Sequence, residues 1–449
     1  MLTLDDFQGA PVTQPSADTG AKAPRETLRG GGNGLPPLVQ GDTTSRALLS
    51  AWNGERVTLV QSPPGGGKTT LLTVLAAYLS RSAQLRVGIA CQRRNQAEDV
   101  ANRIGALSPE TKATLVGAKH QNRPRGLAPG VNYSDTLHDP EDPIKDKGVV
   151  IASSAKLAFL DADLWTFDVI LVDEAWQLDY AGLLAMTAIT TQFVLVGDPG
   201  QVDPIVVGNT ARWEGMREAP HVAAPDVVRR TFDPEVLSLP SSRRNGPATV
   251  HALQPLYPFA FDSARPERTL TVDGNDAAEV EIGTMTTPRT TNPNDPTLLR
   301  AVADRARHLV TDGVFRNEDG QTRPLSEEDV AVVVPFVTQA TAVKALLSDM
   351  PNVTVDTVDT LQGGEWIATV VLNPAAGAAM PSSFNCDLGR LCVSLSRHIA
   401  HCTMVEPDGT AEQVRHSPEI DDETRQVFLE AVGRITATVA APTVEVAAA

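Results

Sequence analysis

The chain has 449 residues, of which 42% are apolar and 21% are charged, and its formal net charge is −17. This length predicts two domains of ordinary size with tails, and the composition is that of a globular protein. The acidic charge argues against a protein that coats duplex nucleic acid, since such proteins are usually basic, although a single groove can still be positive.

Residues 1–40 are rich in Pro, Gly, Ser and Thr and lack periodicity, which predicts a mobile tail. The chain does not begin with the basic-then-apolar order of a signal peptide, so we expect a cytoplasmic protein. No apolar run reaches the length of a membrane span, and no membrane partner is expected. The four cysteines form no C-x-x-C pair and have no nearby histidine pattern, so neither a disulfide nor a metal site is expected from them.

A glycine-rich turn follows the first predicted strand, at 57–60. Three consecutive glycines there lack Cβ atoms, so backbone N–H groups can curl around a polyphosphate. Lys68 is expected to reach the β- and γ-phosphates, and Thr69 to offer its hydroxyl to Mg²⁺. A helix predicted over 70–78 directs its positive amino-terminal end at the same anion. The predicted phosphate-binding residues are Gly65, Gly66, Gly67, Lys68, Thr69 and Thr70.

Beyond this loop, short apolar segments alternate with amphipathic helices, which is typical of a parallel sheet covered on both faces. Residues 107–147 break the rhythm with Pro, Gly and Asp, and they predict an irregular surface insertion. The first domain is therefore placed at 46–234, after a disordered tail at 1–45. Its further predicted strands are 85–90, 148–153, 167–175 and 192–198.

A Pro-rich, charged region at 219–234 precedes a second series of strands and helices, which predicts a second α/β domain over 235–437. An amphipathic helix at 421–437 is expected to close this domain, and 438–449 form a frayed tail. The predicted strands of the second domain are 236–239, 330–335, 354–358, 368–373 and 402–406, with helices at 339–348 and 389–397.

Two polar motifs follow buried strands of the first domain. Asp173 and Glu174 end one strand, where Asp173 can hold the Mg²⁺ shared with Thr69 and Glu174 can orient or deprotonate the attacking water. The next strand leads into Gly-Asp-Pro-x-Gln, whose Gln201 amide can sense the γ-phosphate and the water. Taken alone, this second motif is equally a simple Gly-Asp-Pro turn.

The ordered set of motifs over 57–405 resembles the superfamily 1 helicases, and within them the group of the nonsense-mediated-decay helicase. Asn95, Ala97 and Asp99 match a family motif that touches the single strand, and the serines after the strand at 148–153 resemble another. A Pro-aromatic-x-x-Gln segment also matches. The resemblance implies that a nucleic-acid strand is contacted by Gln92, Arg94, Asn95, Ser153, Ser154, Pro335 and Gln339.

The second half continues in the order of the family. Its SSRRNGP segment resembles the Tyr-Arg-x-x-Pro motif, with Arg244 at the arginine position and Arg243 in place of the tyrosine. The segment RLCVSLSRH resembles the last helicase motif and places Arg397 as a second arginine that faces the γ-phosphate. Arginines from a neighbouring domain stabilise the charge of phosphoryl transfer and couple hydrolysis to domain closure. The catalytic residues implied are Lys68, Glu174, Gln201, Arg244 and Arg397, and the residues that link nucleotide to nucleic acid are Gln362, Gly363 and Glu365.

The resemblance implies two tandem RecA-like domains with ATP and Mg²⁺ in the cleft between them and single-stranded DNA or RNA across both. It implies movement along the strand in the 5′ to 3′ direction, and DNA is modestly favoured. The glutamine by which the family reads adenine is not matched: Thr44 or Ser45 stands there, and Gln40 lies slightly too early. Ser62 also replaces the first glycine of the phosphate-loop pattern, so GTP use stays open. Aromatic residues make up only 4% of the chain, so we expect contacts mainly to the backbone of the strand.

Two other classes of protein fit the same residues. One is a nucleic-acid-stimulated ATPase that translocates or remodels complexes without unwinding. The other is a phosphate-loop regulatory NTPase unrelated to nucleic acid. A strand-displacement assay beside an ATPase assay separates the first from a helicase, and failure of both DNA and RNA to stimulate hydrolysis favours the second.

Overall fold

The computed structural model describes residues 35, 38–117, 121–134, 148–163, 165–206, 208–283 and 290–440. The predicted tail at 1–45, the insertion at 107–147 and the tail at 438–449 lie partly outside these residues. None of the described helices is both long and apolar enough to cross a membrane.

The first part of the chain forms one parallel sheet, which has eight strands among the described residues, in the order β4-β3-β5-β2-β6-β7-β1-β8. The strands are β1 (Val57–Gln61), β2 (Arg86–Cys91), β3 (Ala113–Val116), β4 (Val131–Ser134), β5 (Gly148–Ser153), β6 (Val169–Val172), β7 (Phe193–Gly197) and β8 (Glu235–Ser238). The helices are α1 (Thr43–Trp52), α2 (Lys68–Arg81), α3 (Arg94–Leu107), α4 (Ser154–Ala158), α5 (Tyr180–Ala185) and α6 (Ala224–Phe232).

Helices cover both faces of this sheet, because successive side chains of a strand point to opposite sides. In β1, Val60 packs in one core with Leu72 of α2, whereas Leu59 packs in the other core with Val227 of α6. All four side chains are fully buried. The near-continuous apolar strands seen in the sequence are therefore those of a sheet buried on both faces.

Two sequence predictions fail in this first sheet. The predicted irregular insertion at 107–147 contains β3 and β4, which pair in parallel and extend the edge of the sheet beyond β5. The strand predicted to open the second domain is β8, which instead pairs with β1 and places Leu237 opposite Val60. The first sheet thus continues past the predicted boundary at 234.

The second part of the chain contains another parallel sheet, with five strands among the described residues in the order β13-β19-β18-β16-β17. Together with the first sheet, it confirms the predicted α/β class with parallel sheets. A small antiparallel sheet of β11, β12, β14 and β15, which the sequence patterns did not predict, packs beside it. The strands of this part are β9 (Ser241–Ser242), β10 (Asp262–Ser263), β11 (Thr269–Val272), β12 (Asn275–Asp276), β13 (Val280–Ile282), β14 (Gly313–Arg316), β15 (Thr322–Pro324), β16 (Val330–Val334), β17 (Thr354–Thr357), β18 (Trp366–Leu372) and β19 (His398–Val405).

Helices also cover both faces of the second parallel sheet. Val333 and Val371 belong to the core that α11 and α13 complete, and their neighbours Val332 and Val370 belong to the core beneath α8 and α9. The helices are α7 (Pro247–Leu253), α8 (Pro296–Asp312), α9 (Val337–Leu346), α10 (Val358–Leu361), α11 (Leu388–Leu395), α12 (Thr410–His416) and α13 (Asp422–Ala440).

Glu279, directly before β13, holds the amino-terminal end of α7. Its carboxylate accepts hydrogen bonds from the backbone N–H groups of Gly246 (2.6 Å) and Ala248 (3.1 Å) and from the hydroxyl of Thr249 (2.5 Å). Burial by itself raises the pKa of Glu279, but its contacts with His398 and Thr249 lower that pKa overall to about 2. A carboxylate that accepts several donors at a helix start is favoured in its charged form.

Replacing Glu279 with Gln is expected to remove a pH-dependent part of the stability. A carboxyl group with a lowered pKa in the folded state stabilises the protein fully above its unfolded pKa near 4.3, and this stabilisation is lost as the pH falls toward about 2. Urea unfolding between pH 5 and pH 2 should therefore show a steeper loss of stability in the wild type than in Glu279→Gln, by about 3 kcal/mol over the window. The exposed Glu267→Gln serves as control, and equal pH slopes for wild type and Glu279→Gln would contradict this account.

Candidate active site

The glycine-rich turn leaves β1 after Gln61 and enters α2 at Lys68. Gly65 (φ 69°) and Gly67 (φ 92°) both adopt the left-handed region that favours glycine. Ser62, which stands where the family pattern has glycine, is fully buried and donates its backbone N–H to the carbonyl of Gly197 at 2.9 Å. A side chain on Gly66 would overlap the Ser62 hydroxyl. The loop is therefore closely packed and fixed to the end of β7.

Lys68 lies among carboxylates from the ends of two neighbouring strands. Its Nζ is 3.2 Å from Oε1 of Glu174. Burial alone would lower the pKa of Lys68, but the nearby Glu174, Asp198 and Asp173 raise it overall. The ammonium group is therefore charged at neutral pH, in a position at the start of α2 where a polyphosphate would lie.

Asp173 and Asp198 are buried carboxyl groups whose negative charge Lys68 compensates only in part. Burial, followed by the charge of Glu174, raises the pKa of Asp173 to about 7, and burial raises that of Asp198, although Lys68 opposes both shifts. Such carboxylates favour a further cation. The carboxylate of Asp173 and the hydroxyl of Thr69 are the oxygen donors that a divalent cation prefers, so these residues fit a nucleotide bound with such an ion.

Glu174 has an unusual backbone conformation. Its φ of 50° lies in the left-handed region, which a residue with a long side chain rarely adopts. Strained conformations of this kind persist where the surrounding structure enforces them, and they cluster at functional sites. Here the conformation turns the chain sharply after β6, so that Glu174 faces Lys68.

Two glutamines from the two halves of the chain meet beside this cluster. The Nε2 of Gln362 donates to Oε1 of Gln201 at 3.1 Å, and the Nε2 of Gln201 donates to Oδ2 of Asp198 at 2.9 Å. Gln201 is almost fully buried. The structure thus brings together the two amides that the sequence placed near the γ-phosphate, and it joins them to the carboxylate next to Lys68.

The segment 242–244 packs directly on the phosphate loop. The Arg243 N–H donates to the carbonyl of Gly65 at 3.0 Å, and the Ser242 hydroxyl donates to the carbonyl of Pro64 at 2.6 Å. A Cβ atom on Gly65 would lie 2.5 Å from the Cβ of Arg244. Arg244, which was predicted to face the γ-phosphate, therefore has its Cβ in contact with the predicted phosphate loop.

Arg244 and Arg397 share one neighbour, Ser396. The guanidinium of Arg244 donates to the Ser396 carbonyl at 3.3 Å and to the carboxylate of Glu365, and the guanidinium of Arg397 donates to the Ser396 hydroxyl at 2.9 Å. Arg397 is 1% exposed, and burial together with the charge of Arg244 lowers its pKa to about 10. Arg397 is therefore charged at neutral pH, and Ser396 links its guanidinium to that of Arg244.

Tyr257 is a site residue that the sequence patterns did not reveal. Its hydroxyl donates to Oδ1 of Asp198 at 2.8 Å and lies 3.1 Å from Sγ of Cys392 in α11. A Cβ on Gly200 would lie 2.5 Å from the ring. Burial and the charge of Asp198 raise the pKa of Tyr257 well above its ordinary value. No motif spacing marks this tyrosine, although it links the loop after β7 to the helix that precedes Arg397.

Most of the residues predicted to contact nucleic acid lie at the carboxyl ends of two neighbouring strands of the first sheet. The strands β2 and β5 pair side by side, with Cys91 opposite Ser153 at their carboxyl ends. The Ser154 hydroxyl donates to the side chain of Gln92 at 3.2 Å, and Gln92 in turn donates to the carbonyl of Asp173 at 3.3 Å. Arg94 and Asn95 are exposed at the start of α3. Two hydrogen bonds through Gln92 thus connect Ser154 with Asp173, the first residue of the acidic motif after β6.

The structure contradicts the prediction that the side chain of Gln339 contacts a nucleic-acid strand. Gln339 is fully buried, its side-chain oxygen accepts the Phe336 N–H at 3.0 Å, and its amide donates to the carbonyl of Pro293 at 2.7 Å. Both polar atoms are used to fix the start of α9. Pro335, half-buried at the end of β16, lies beside it.

Comparisons with known proteins give one family match, one curated protein with a similar sequence and several similar solved structures. Residues 43–256 match the family model of an AAA domain. Over 195 residues, or 41% of this chain, the sequence is 24% identical to the DNA replication ATP-dependent helicase/nuclease DNA2 of Saccharomyces cerevisiae. The matched part spans only 12% of the yeast protein.

Two viral helicases are among the solved structures that resemble this chain. The PRRSV helicase aligns over 83% of this chain and 56% of its own, with 15% identity and a TM-score of 0.42. The arterivirus nonstructural protein 10 helicase aligns over 84% of this chain and 67% of its own, with 14% identity and a TM-score of 0.45.

Alanine at Gly65 is expected to impair ATP turnover much more than alanine at another glycine with the same backbone conformation. A Cβ added at Gly54 (φ 79°) would have no atom within 4 Å, whereas a Cβ at Gly65 would meet Arg244. Gly54→Ala should lose about 1 kcal/mol of stability and keep its turnover. Gly65→Ala should lose turnover by about 100-fold, because Arg244 must move. Steady-state kinetics and urea unfolding measure both effects, and equal turnover of the two variants would contradict the contact.

Proposed function

We propose that this chain is an ATP-hydrolysing member of the superfamily 1 helicases that closes its two domains on ATP and uses hydrolysis to move along single-stranded nucleic acid. The observation that carries the proposal is the contact between the phosphate loop and the segment 242–244, beside the bond between Gln201 and Gln362. Residues from both halves of the chain thus surround Lys68. A site built in this way responds to the phosphate it holds by opening or closing the cleft.

In the proposed mechanism, Lys68 and the backbone N–H groups of the loop 65–70 hold the phosphates. Thr69 and Asp173 would hold Mg²⁺, which would polarise the γ-phosphate when bound. Glu174 orients the attacking water and accepts its proton. Because Glu174 lies 3.2 Å from Lys68, a bound γ-phosphate competes with the carboxylate for the ammonium group and frees Glu174 for the water.

Arg244 and Arg397 supply the positive charge that phosphoryl transfer requires beyond the phosphate loop. Burial, and after it the charge of Arg244, lowers the pKa of Arg397, so a γ-phosphate beside this arginine would favour its charged form. We propose that Gln201 and Gln362 report the state of this phosphate between the domains, with Gly363 and Glu365 completing the loop that carries Gln362.

The single strand of nucleic acid is proposed to cross the carboxyl ends of β2 and β5, and to continue onto the second domain near Pro335. The residues that it would contact at these strand ends are Gln92, Arg94, Asn95, Ser153 and Ser154. The Gln92 bond to the carbonyl of Asp173 gives a direct route from these strand ends to the acidic motif. We favour DNA over RNA and movement in the 5′ to 3′ direction, both on the resemblance of the motifs. An enzyme of this kind consumes intracellular substrates, so we propose the cytoplasm as its compartment.

We propose domains at 46–238 and 239–437, since β8 pairs with β1 and the segment that carries Arg244 follows it. The nucleotide then lies at the carboxyl edge of the first sheet, where ligands of open parallel sheets bind. The second domain closes over it with Arg244, Gln362 and Arg397.

Glu174→Gln is expected to reduce ATP turnover by about 100- to 10,000-fold while ATP still binds, because the water loses its base. Lys68→Ala should lose ATP binding itself. Turnover is measured without nucleic acid, with single-stranded DNA and with single-stranded RNA, and the exposed Glu55→Gln serves as control. Wild-type turnover should rise several-fold with a single strand.

Full turnover by Glu174→Gln would refute the catalytic assignment. If neither DNA nor RNA stimulated the wild type, the chain would instead be a regulatory NTPase. A strand-displacement assay under the same conditions distinguishes a helicase from an ATPase that moves or remodels without unwinding.

A further inference from the structure

A pocket of 160 Å³ opens at the carboxyl ends of β3, β4 and β5, next to the predicted nucleic-acid residues. Ala97, Leu115 and Val116 give it an apolar lining, and the ring of Tyr133 on β4 faces it from the edge strand. Arg94 and Lys156 also line the pocket. An apolar cavity with a few polar groups at its border is the general form of a small-ligand site.

The ring of Tyr133 is held in place at its hydroxyl end. A side chain on Gly117 would overlap the Tyr133 hydroxyl, so the ring fits over the bare backbone at the end of β3. The hydroxyl donates to the carbonyl of Gln121 at 3.1 Å. The aromatic face is therefore fixed before any ligand enters, which reduces the entropy lost on binding.

The pocket also offers positive charge. Lys156 is half-buried, and its ammonium group has no hydrogen-bond or ion-pair partner within the part of the chain that the structure describes. Arg94 is exposed and shares its guanidinium with Glu98 at 2.9 Å. A half-buried cation without an anion favours a negatively charged ligand, since its charge is only partly solvated.

We propose that this pocket accepts one base of a single strand, with the base against Tyr133 and the neighbouring phosphates near Lys156 and Arg94. The inference rests on the proposed movement along single-stranded nucleic acid and adds a base contact to it. Every base presents an aromatic face, so stacking on Tyr133 tolerates any sequence, as a moving protein requires. The site lies on β3 and β4, the two edge strands that extend the sheet beyond β5.

The test compares two single strands of about ten nucleotides, a length within the range that one binding fold covers. One strand is oligo-dT and the other has the same backbone with abasic residues. Dissociation constants are measured by fluorescence anisotropy for the full-length wild type, Tyr133→Ala and Tyr133→Phe. Tyr133→Ala should weaken binding of oligo-dT by about tenfold and leave binding of the abasic strand unchanged, because only the base is lost from the contact. Tyr133→Phe keeps the ring and loses only the hydroxyl bond to Gln121, so it should weaken binding of oligo-dT much less than Tyr133→Ala does.

Lys156→Gln tests the phosphate contact separately. It should weaken both strands alike and reduce the slope of log affinity against log salt by about one. Thermal unfolding establishes that each variant is folded.

The pocket assignment is overturned if Tyr133→Ala binds oligo-dT as the wild type does, or if it weakens both strands equally. If the wild type binds neither strand and neither stimulates turnover, the proposed function fails together with the pocket. Strand-stimulated turnover with an unchanged Tyr133→Ala would overturn the pocket alone.

Discussion

The backbone of the phosphate loop and the backbone of the segment 242–244 touch each other, and the arrangement of the whole site depends on this contact. Gly65 accepts the Arg243 N–H at 3.0 Å, and it has no room for a side chain beside Arg244. Gly65 therefore meets two demands at once, a left-handed backbone and a close approach by a second segment. Because this contact fixes the backbone of Arg244, the predicted phosphate loop also sets the position of the arginine that we propose assists phosphoryl transfer.

The sequence predicted the parts of the structure that local chemistry determines. The strand predicted at 148–153 is β5, with the same bounds, because a fully apolar run flanked by turn residues permits few alternatives. The phosphate loop, the carboxylates after β6 and the pair Gln201 and Gln362 were all placed near one nucleotide, and the structure brings them together. Motif spacing carries this information because each motif ends a strand at the same edge of a parallel sheet.

The features that sequence patterns missed depend on partners far along the chain. The pairing of β8 with β1 joins segments about 180 residues apart, and nothing within 236–239 indicates which sheet this strand enters. Gln339 looked like a surface residue of a motif, but its burial depends on the carbonyl of Pro293 from another segment. Tyr257 and Tyr133 carry no motif at all, because each acquires its role from the residues that the fold packs against it.

The central claim is that Arg244 completes a site whose other half is the phosphate loop. Its most direct test is the turnover number for ATP of Arg244→Ala beside that of Arg243→Ala, since the two arginines are neighbours and Arg243 is exposed whereas Arg244 is half-buried. We predict that Arg244→Ala lowers the turnover number by about 1,000-fold with little change in ATP affinity, and that Arg243→Ala stays close to the wild type. A wild-type turnover number for Arg244→Ala, or equal losses in both variants, would contradict the account.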